Sequence, residues 1–95
     1  MRIIAGDARG RPLVAPHGLD TRPTLDRVRE SLFNILQTRV AGACVLDCFA
    51  GSGALALESL SRGAAHAVLI DAGREAQQAA QHNIDTLGYG ARAEL

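Results

Sequence analysis

The feature that most limits what this chain can fold into is a glycine turn, Gly51-Ser52-Gly53, set between an apolar run and a helix-forming one. Ahead of it stands Ala43–Asp47, short, apolar and without polar alternation, as parallel strands read. Behind it Ala54-Leu55-Ala56-Leu57-Glu58-Ser59-Leu60 forms a helix, ended by Gly63 at the C′ position. The turn fits the pattern G-x-G-x-x-A, and Asp71 stands 20 residues beyond Gly51, at the end of a second β-type run, Ala65–Asp71. In this strand–turn–helix context glycines let the backbone approach a nucleotide-like ligand, and a carboxylate at the next strand tip can hold ribose hydroxyls.

The remainder of the chain agrees with that beginning. Glu75 to Leu87 reads as a second helix, with Ala76, Ala79, Ala80, Ile84 and Leu87 on one face and Gly88 as its stop. Ala91–Leu95 begins a third strand. The order β-α-β-α-β with short links predicts an α/β fold with a parallel sheet and right-handed crossovers. Upstream, Arg2–Gly6 and Arg11–Ala15 are β-type runs around Gly6-Asp7-Ala8-Arg9-Gly10, a predicted hairpin. Pro16, Gly18, Asp20 and Pro23 mark a loop, and Thr24 is a good N-cap. Leu25, Val28, Leu32 and Ile35/Leu36 recur at helical spacing, so a helix is expected over 25–38, stopping near Gly42. The expected organisation is therefore an extension over 1–40 and half of a Rossmann-like domain over 41–95.

At 95 residues the chain is one small domain at most, with 47% hydrophobic and 21% charged residues, the mix of an ordinary globular protein. No apolar run reaches a membrane span, and the start is too polar for a secretory segment, so the expectation is a cytoplasmic protein without a membrane partner. Net charge is zero but unevenly spread: residues 1–40 carry seven arginines against four acids, and residues 41–95 three against six. A basic front on an acidic back suits a nucleic-acid enzyme, although a chance asymmetry gives the same count. Cys44 and Cys48 fall on one face of a strand, about 13 Å apart, too far for a disulfide. Further zinc ligands are missing, so buried reduced thiols and no metal are expected. His17, His66 and His82 have no ligand spacing.

Asp47 separates two ligand classes. It sits at the first strand tip, four residues before Gly51, facing the same crevice. A dinucleotide pyrophosphate would meet an unpaired carboxylate there. S-adenosylmethionine has no phosphate, and its ammonium and sulfonium are favoured by a carboxylate. The spacer Cys48-Phe49-Ala50 is also longer than in most dinucleotide turns, so the sulfonium cofactor is favoured. A carboxylate capping the turn's own N–H groups is compatible with either.

Asp47-Cys48-Phe49-Ala50-Gly51-Ser52-Gly53 resembles motif I of the N-methyltransferases, D-x-F-x-G-x-G. The run from Val45 to Ala64 resembles the RsmD family, which methylates a guanine N2 of small-subunit ribosomal RNA. Two further stretches carry the same resemblance: Arg2–Gly6 with Arg9-Gly10-Arg11, and Thr21-Arg22-Pro23-Thr24 leading into Asp26–Asn34. The second is the more diagnostic, because generic methyltransferases lack it. The resemblance implies an incomplete class I S-adenosylmethionine-dependent methyltransferase fold preceded by an N-terminal β-hairpin and helix. It implies that Gly51, Ser52 and Gly53, with Ala50, line the methionine moiety, with Asp47 near its charged end and Phe49 flanking it. Asp71 would take the ribose hydroxyls, and Arg22 or Thr24 would touch cofactor or RNA. Arg9 and Arg11 of the hairpin, with Arg22, would meet the backbone of ribosomal RNA, free or in an assembling small subunit. For each arginine a purely structural surface role stands beside that one.

The family's acceptor-orienting element, Asn/Asp-Pro-Pro-Phe/Tyr after a fourth strand, has no counterpart here, since the sequence contains no Pro-Pro. Its side-chain oxygen and backbone carbonyl would position the exocyclic amine for attack on the methyl group. The 95 residues alone are therefore expected to be inactive, and an open sheet edge predicts self-association. Two other readings remain: half of a dinucleotide-binding oxidoreductase, and a non-catalytic RNA-binding fragment.

Overall fold

The structure, a computed structural model, describes residues 1–16 and 23–95. Six elements follow in order: helix α1 (Pro23–Val40), strand β1 (Cys44–Asp47), helix α2 (Ala54–Ser61), strand β2 (His66–Leu69), helix α3 (Arg74–Leu87) and strand β3 (Ala93–Glu94). The strands form one parallel sheet in the order β1-β2-β3. The expected alternation of strand and helix is thus present, and β1 is an edge.

Register decides which side chains meet. Val45 pairs with Ala67, Asp47 with Leu69 and Ala67 with Ala93, which puts Val45, Ala67, Leu69 and Ala93 on one face. That face joins Ala56, Leu57 and Leu60 of α2 and Ala80, Ile84 and Leu87 of α3 in a single core. The α3 stripe matches its predicted spacing, except that Ala76 is half-buried and Asn83 is buried among the aliphatics.

The opposite face carries Cys44, Leu46, His66 and Val68, and no described element covers it. Leu46 is 62% exposed and both cysteines are free and exposed. The expected thiol burial is therefore wrong. The run Ala43–Asp47 reads as a strand covered twice, but here a helix layer packs on one side only.

Three boundaries also differ from expectation. Helix α1 begins at Pro23 rather than 25, so Thr24 lies in the first turn instead of at the cap. Proline suits that first position, where its fixed φ is helical and no N–H is missed. The predicted hairpin is reduced to one antiparallel bridge, Arg2 to Pro12, with Ile3 N–H donating to Arg11 O and Leu13 N–H to Met1 O. Its tip is tied to α2 instead of extending a strand ladder. The second strand stops at Leu69, two residues before Asp71.

What anchors the first fourteen residues is a set of buried polar groups. Glu58, fully buried in α2, accepts the N–H of Ile4 (2.9 Å) and of Ala5 (3.0 Å) and the Nε of Arg62 (2.8 Å). Arg29 of α1, 5% exposed, brings its Nε to 3.5 Å from the same carboxylate, pairs with Asp26 and donates to Arg2 O. Ser61 accepts Ala8 N–H and donates to Ala5 O. At the far end the Tyr89 hydroxyl donates to Asp7, while Arg92 stacks on the Tyr89 ring and donates to Leu60 O and Ala64 O. Burial and the Asp7 carboxylate push the Tyr89 hydroxyl up to about 12.

Candidate functional site

The glycine turn opens where β1 ends. Asp47 accepts the N–H of Phe49 at 3.3 Å, a local turn that re-aims the chain after the strand. Ala50 is buried and donates its N–H to Ile70 O, pinning the turn to the end of β2. Gly51 and Gly53 both have positive φ, 56° and 85°. They differ in surroundings: a Cβ on Gly53 would lie 3.0 Å from Leu69 Cδ2, whereas one on Gly51 would meet nothing within 4 Å. Gly53 is thus required by packing, and Gly51 leaves the main chain open to an approaching group.

Asp71 completes the turn. Its Oδ2 accepts the N–H of Gly51 at 2.9 Å, and its Oδ1 accepts that of Gly73 at 2.8 Å, just before α3. These two donors, Gly73 first, hold its carboxyl below the ordinary value. Each oxygen keeps a further lone pair for a hydroxyl donor. A crevice of about 470 Å³ beside it is lined by Leu69, Ile70, Asp71, Gln77, Gln81 and Leu95. Leu69, Ile70 and Leu95 give it apolar surface and Asp71, Gln77 and Gln81 polar surface, but Gly51–Gly53 do not line it.

Of the residues singled out from sequence, Asp47, Ala50, Gly51, Ser52, Gly53 and Asp71 come together. Phe49 is 91% exposed beside them. Ser52 is turned inward, 7% exposed, with Oγ 3.9 Å from the Met1 sulfur, so its hydroxyl is not offered at the surface. Arg22 and the side chain of Thr24 lie outside the described residues. Arg9 is exposed, while Arg11 donates from Nη2 to Thr86 O near the end of α3. One residue was missed: Asn83, 1% exposed, donates to Ser52 O at 2.8 Å and to Val14 O at 2.9 Å, and accepts Val14 N–H at 2.8 Å. Its position on the buried stripe of α3 was the available signal. Among the described residues no group of three or more His, Cys, Asp or Glu could hold a metal ion, and no helix is long and apolar enough to cross a membrane.

A parallel β-α-β-α-β unit with a glycine turn after β1 and an acid after β2 is the front part of a class I methyltransferase fold. The chain belongs to the family described as conserved hypothetical protein 95, the RsmD family, whose profile matches residues 1–95. It is 53% identical over 90 residues to ribosomal RNA small subunit methyltransferase D of Escherichia coli K12, covering 95% of this chain and 46% of that protein. Methyltransferase D of Haemophilus influenzae is 41% identical over 87 residues, covering 92% and 45%. The solved structure of yhhF from Escherichia coli superposes with a TM-score of 0.86 at 49% identity, over 99% of this chain and 50% of that one. The chain spans about half the length of the relatives it matches.

Proposed function

We propose that this chain is the methyl-donor-binding part of an enzyme that methylates guanine N2 in small-subunit ribosomal RNA. The observation that carries this reading is the hydrogen bond from Gly51 N–H to Asp71 Oδ2, which joins the glycine turn to the acid of the next strand in one surface. The residues fit S-adenosylmethionine: Gly51 offers open main chain, Asp71 has acceptor capacity left for ribose hydroxyls, and Asp47 supplies negative charge where the donor is cationic. In this reading Ala50 to Gly53 line the methionine end, Phe49 flanks it, and Arg22 and Thr24 contribute from the approach to α1. When bound, the cofactor supplies an electrophilic methyl group; the protein's part is to hold and orient it. The acceptor-orienting Asn/Asp-Pro-Pro-Phe/Tyr does not occur in these 95 residues, so they bind donor without transferring methyl. In the same reading Arg9, Arg11 and Arg22, from the arginine-rich residues 1–40, would meet the RNA backbone, and a cytoplasmic location follows from that substrate.

Titration calorimetry with S-adenosylmethionine and, separately, with NAD tests the reading. Binding of the first alone, weakened at least tenfold by Asp71→Asn, is the expected result. Binding of NAD alone, or donor binding indifferent to Asp71, overturns it.

A further inference from the structure

The arginines of residues 1–40 have the same charge but different surroundings. Arg29 is buried against Asp26 and Glu58, and Arg11 reaches the carbonyl of Thr86. Arg2, Arg9 and Arg27 are exposed and line one groove of about 360 Å³ between the N-terminal segment and the first turns of α1. Ile3, Ile4 and Gly10 line it as well, and so do two acids, Asp26 and Glu30. Asp26 is 3.2 Å from Arg29, which offsets its charge and leaves the groove basic.

The position of the groove follows from the course of α1. Its last residue, Val40, accepts the N–H of Ala43 and lies next to the start of β1, so the 18-residue helix runs back past the sheet. Arg29 is level with Glu58 in the middle of α2, and Arg27 lies nearer the end where Gly53 opens that helix. The groove therefore lies beside the Arg29–Glu58 contact that joins α1 to α2.

We infer that this groove holds the phosphate backbone of the RNA, with Arg2 and Arg9 on one wall and Arg27 on the other. A cleft with guanidinium groups on two walls fits a chain of phosphates, because each group pairs with an oxygen without reading a base. The inference rests on the ribosomal RNA reading above and narrows it. Arg27 of α1 becomes a phosphate contact, while Arg11, which donates to Thr86 O, is not among the residues that line the groove.

The test is fluorescence anisotropy of the chain with a labelled single-stranded oligouridylate between about 50 and 200 mM salt. Neutralising a phosphate contact lowers the slope of log affinity against log salt by roughly 0.7. Arg9→Gln with Arg27→Gln is expected to lower it by about twice that, and Arg2→Gln to lower it further. Arg74→Gln, as a control, is expected to leave it unchanged. All three groove side chains are exposed, so the far-ultraviolet circular dichroism stays that of the parent. If the parent binds and the groove variants keep its slope, the groove is overturned while the RNA reading stands. If the parent shows no salt-dependent binding, the RNA reading falls and the groove with it.

Discussion

The side-chain amide of Asn83 in α3 donates to the main-chain carbonyl of Ser52, in the middle of the glycine turn, at 2.8 Å. The same amide group closes two bonds with the backbone of Val14. One buried side chain therefore fixes both the turn and the strand-like segment leading toward α1. Asn83→Ala leaves the buried carbonyl of Ser52 without its donor, at about 1–3 kcal/mol. A fall in the urea midpoint is expected, together with weaker donor binding. A variant as stable as the parent would show that water replaces the amide.

Glu58 is the second buried organiser. Glu58→Ala strands Arg29 and leaves the N–H groups of Ile4 and Ala5 without an acceptor. Breaking a buried ion pair from one side costs about 3–5 kcal/mol, a large share of the stability of so small a domain. Chemical denaturation measures it, and a loss under about 1 kcal/mol would contradict the assigned burial.

The two glycines of the turn separate stability from binding. Gly53→Ala combines a left-handed backbone with a contact to Leu69 and Leu57, so its main effect is a lower midpoint of about 1–3 kcal/mol. Gly51→Ala carries the backbone strain of about 1 kcal/mol but meets no neighbour. Its methyl group points into open space beside the Asp71 bond, so donor affinity is expected to fall more than stability. Calorimetry and thermal melts on both variants distinguish the two, and the reverse ranking would refute the assignment.

Tyr89 is the single tyrosine, and the chain has no tryptophan, so phenolate absorbance reports one group. Its hydroxyl is raised to about 12 in the folded state, by burial first and then by Asp7. The folded chain thus favours the protonated form. The associated stability is complete below the unfolded value near 10 and is lost as pH rises toward 12. A spectrophotometric titration is expected to show a midpoint well above that of the urea-unfolded chain. Coincident midpoints would remove the Asp7 bond from the account.

Local pattern made the helices, the three strands and their parallel order legible, because apolar spacing and glycine stops act within a few residues. The glycine turn and Asp71 were legible for the same reason. Glu58 and Asn83 were not, since the N-terminal backbone groups they hold lie 53 to 69 residues away. A hint existed: Glu58 is the one charged residue of α2, in an otherwise apolar helix, and such a carboxylate needs a buried partner. The thiols failed in the other direction. An apolar strand implies two covered faces, and Cys44 and Leu46 show that only one is covered among the described residues.

The Glu58 clamp also sets an order of events during synthesis. Ile4 meets its acceptor only after a further 54 residues have been made, and Asp7 meets Tyr89 only after 82. At roughly 5–20 residues per second, Asp7 waits on the order of 4–16 s for its partner. Residues 1–14 are thus anchored in two stages, first by Glu58 and Ser61 of α2 and only later by Tyr89 beyond α3.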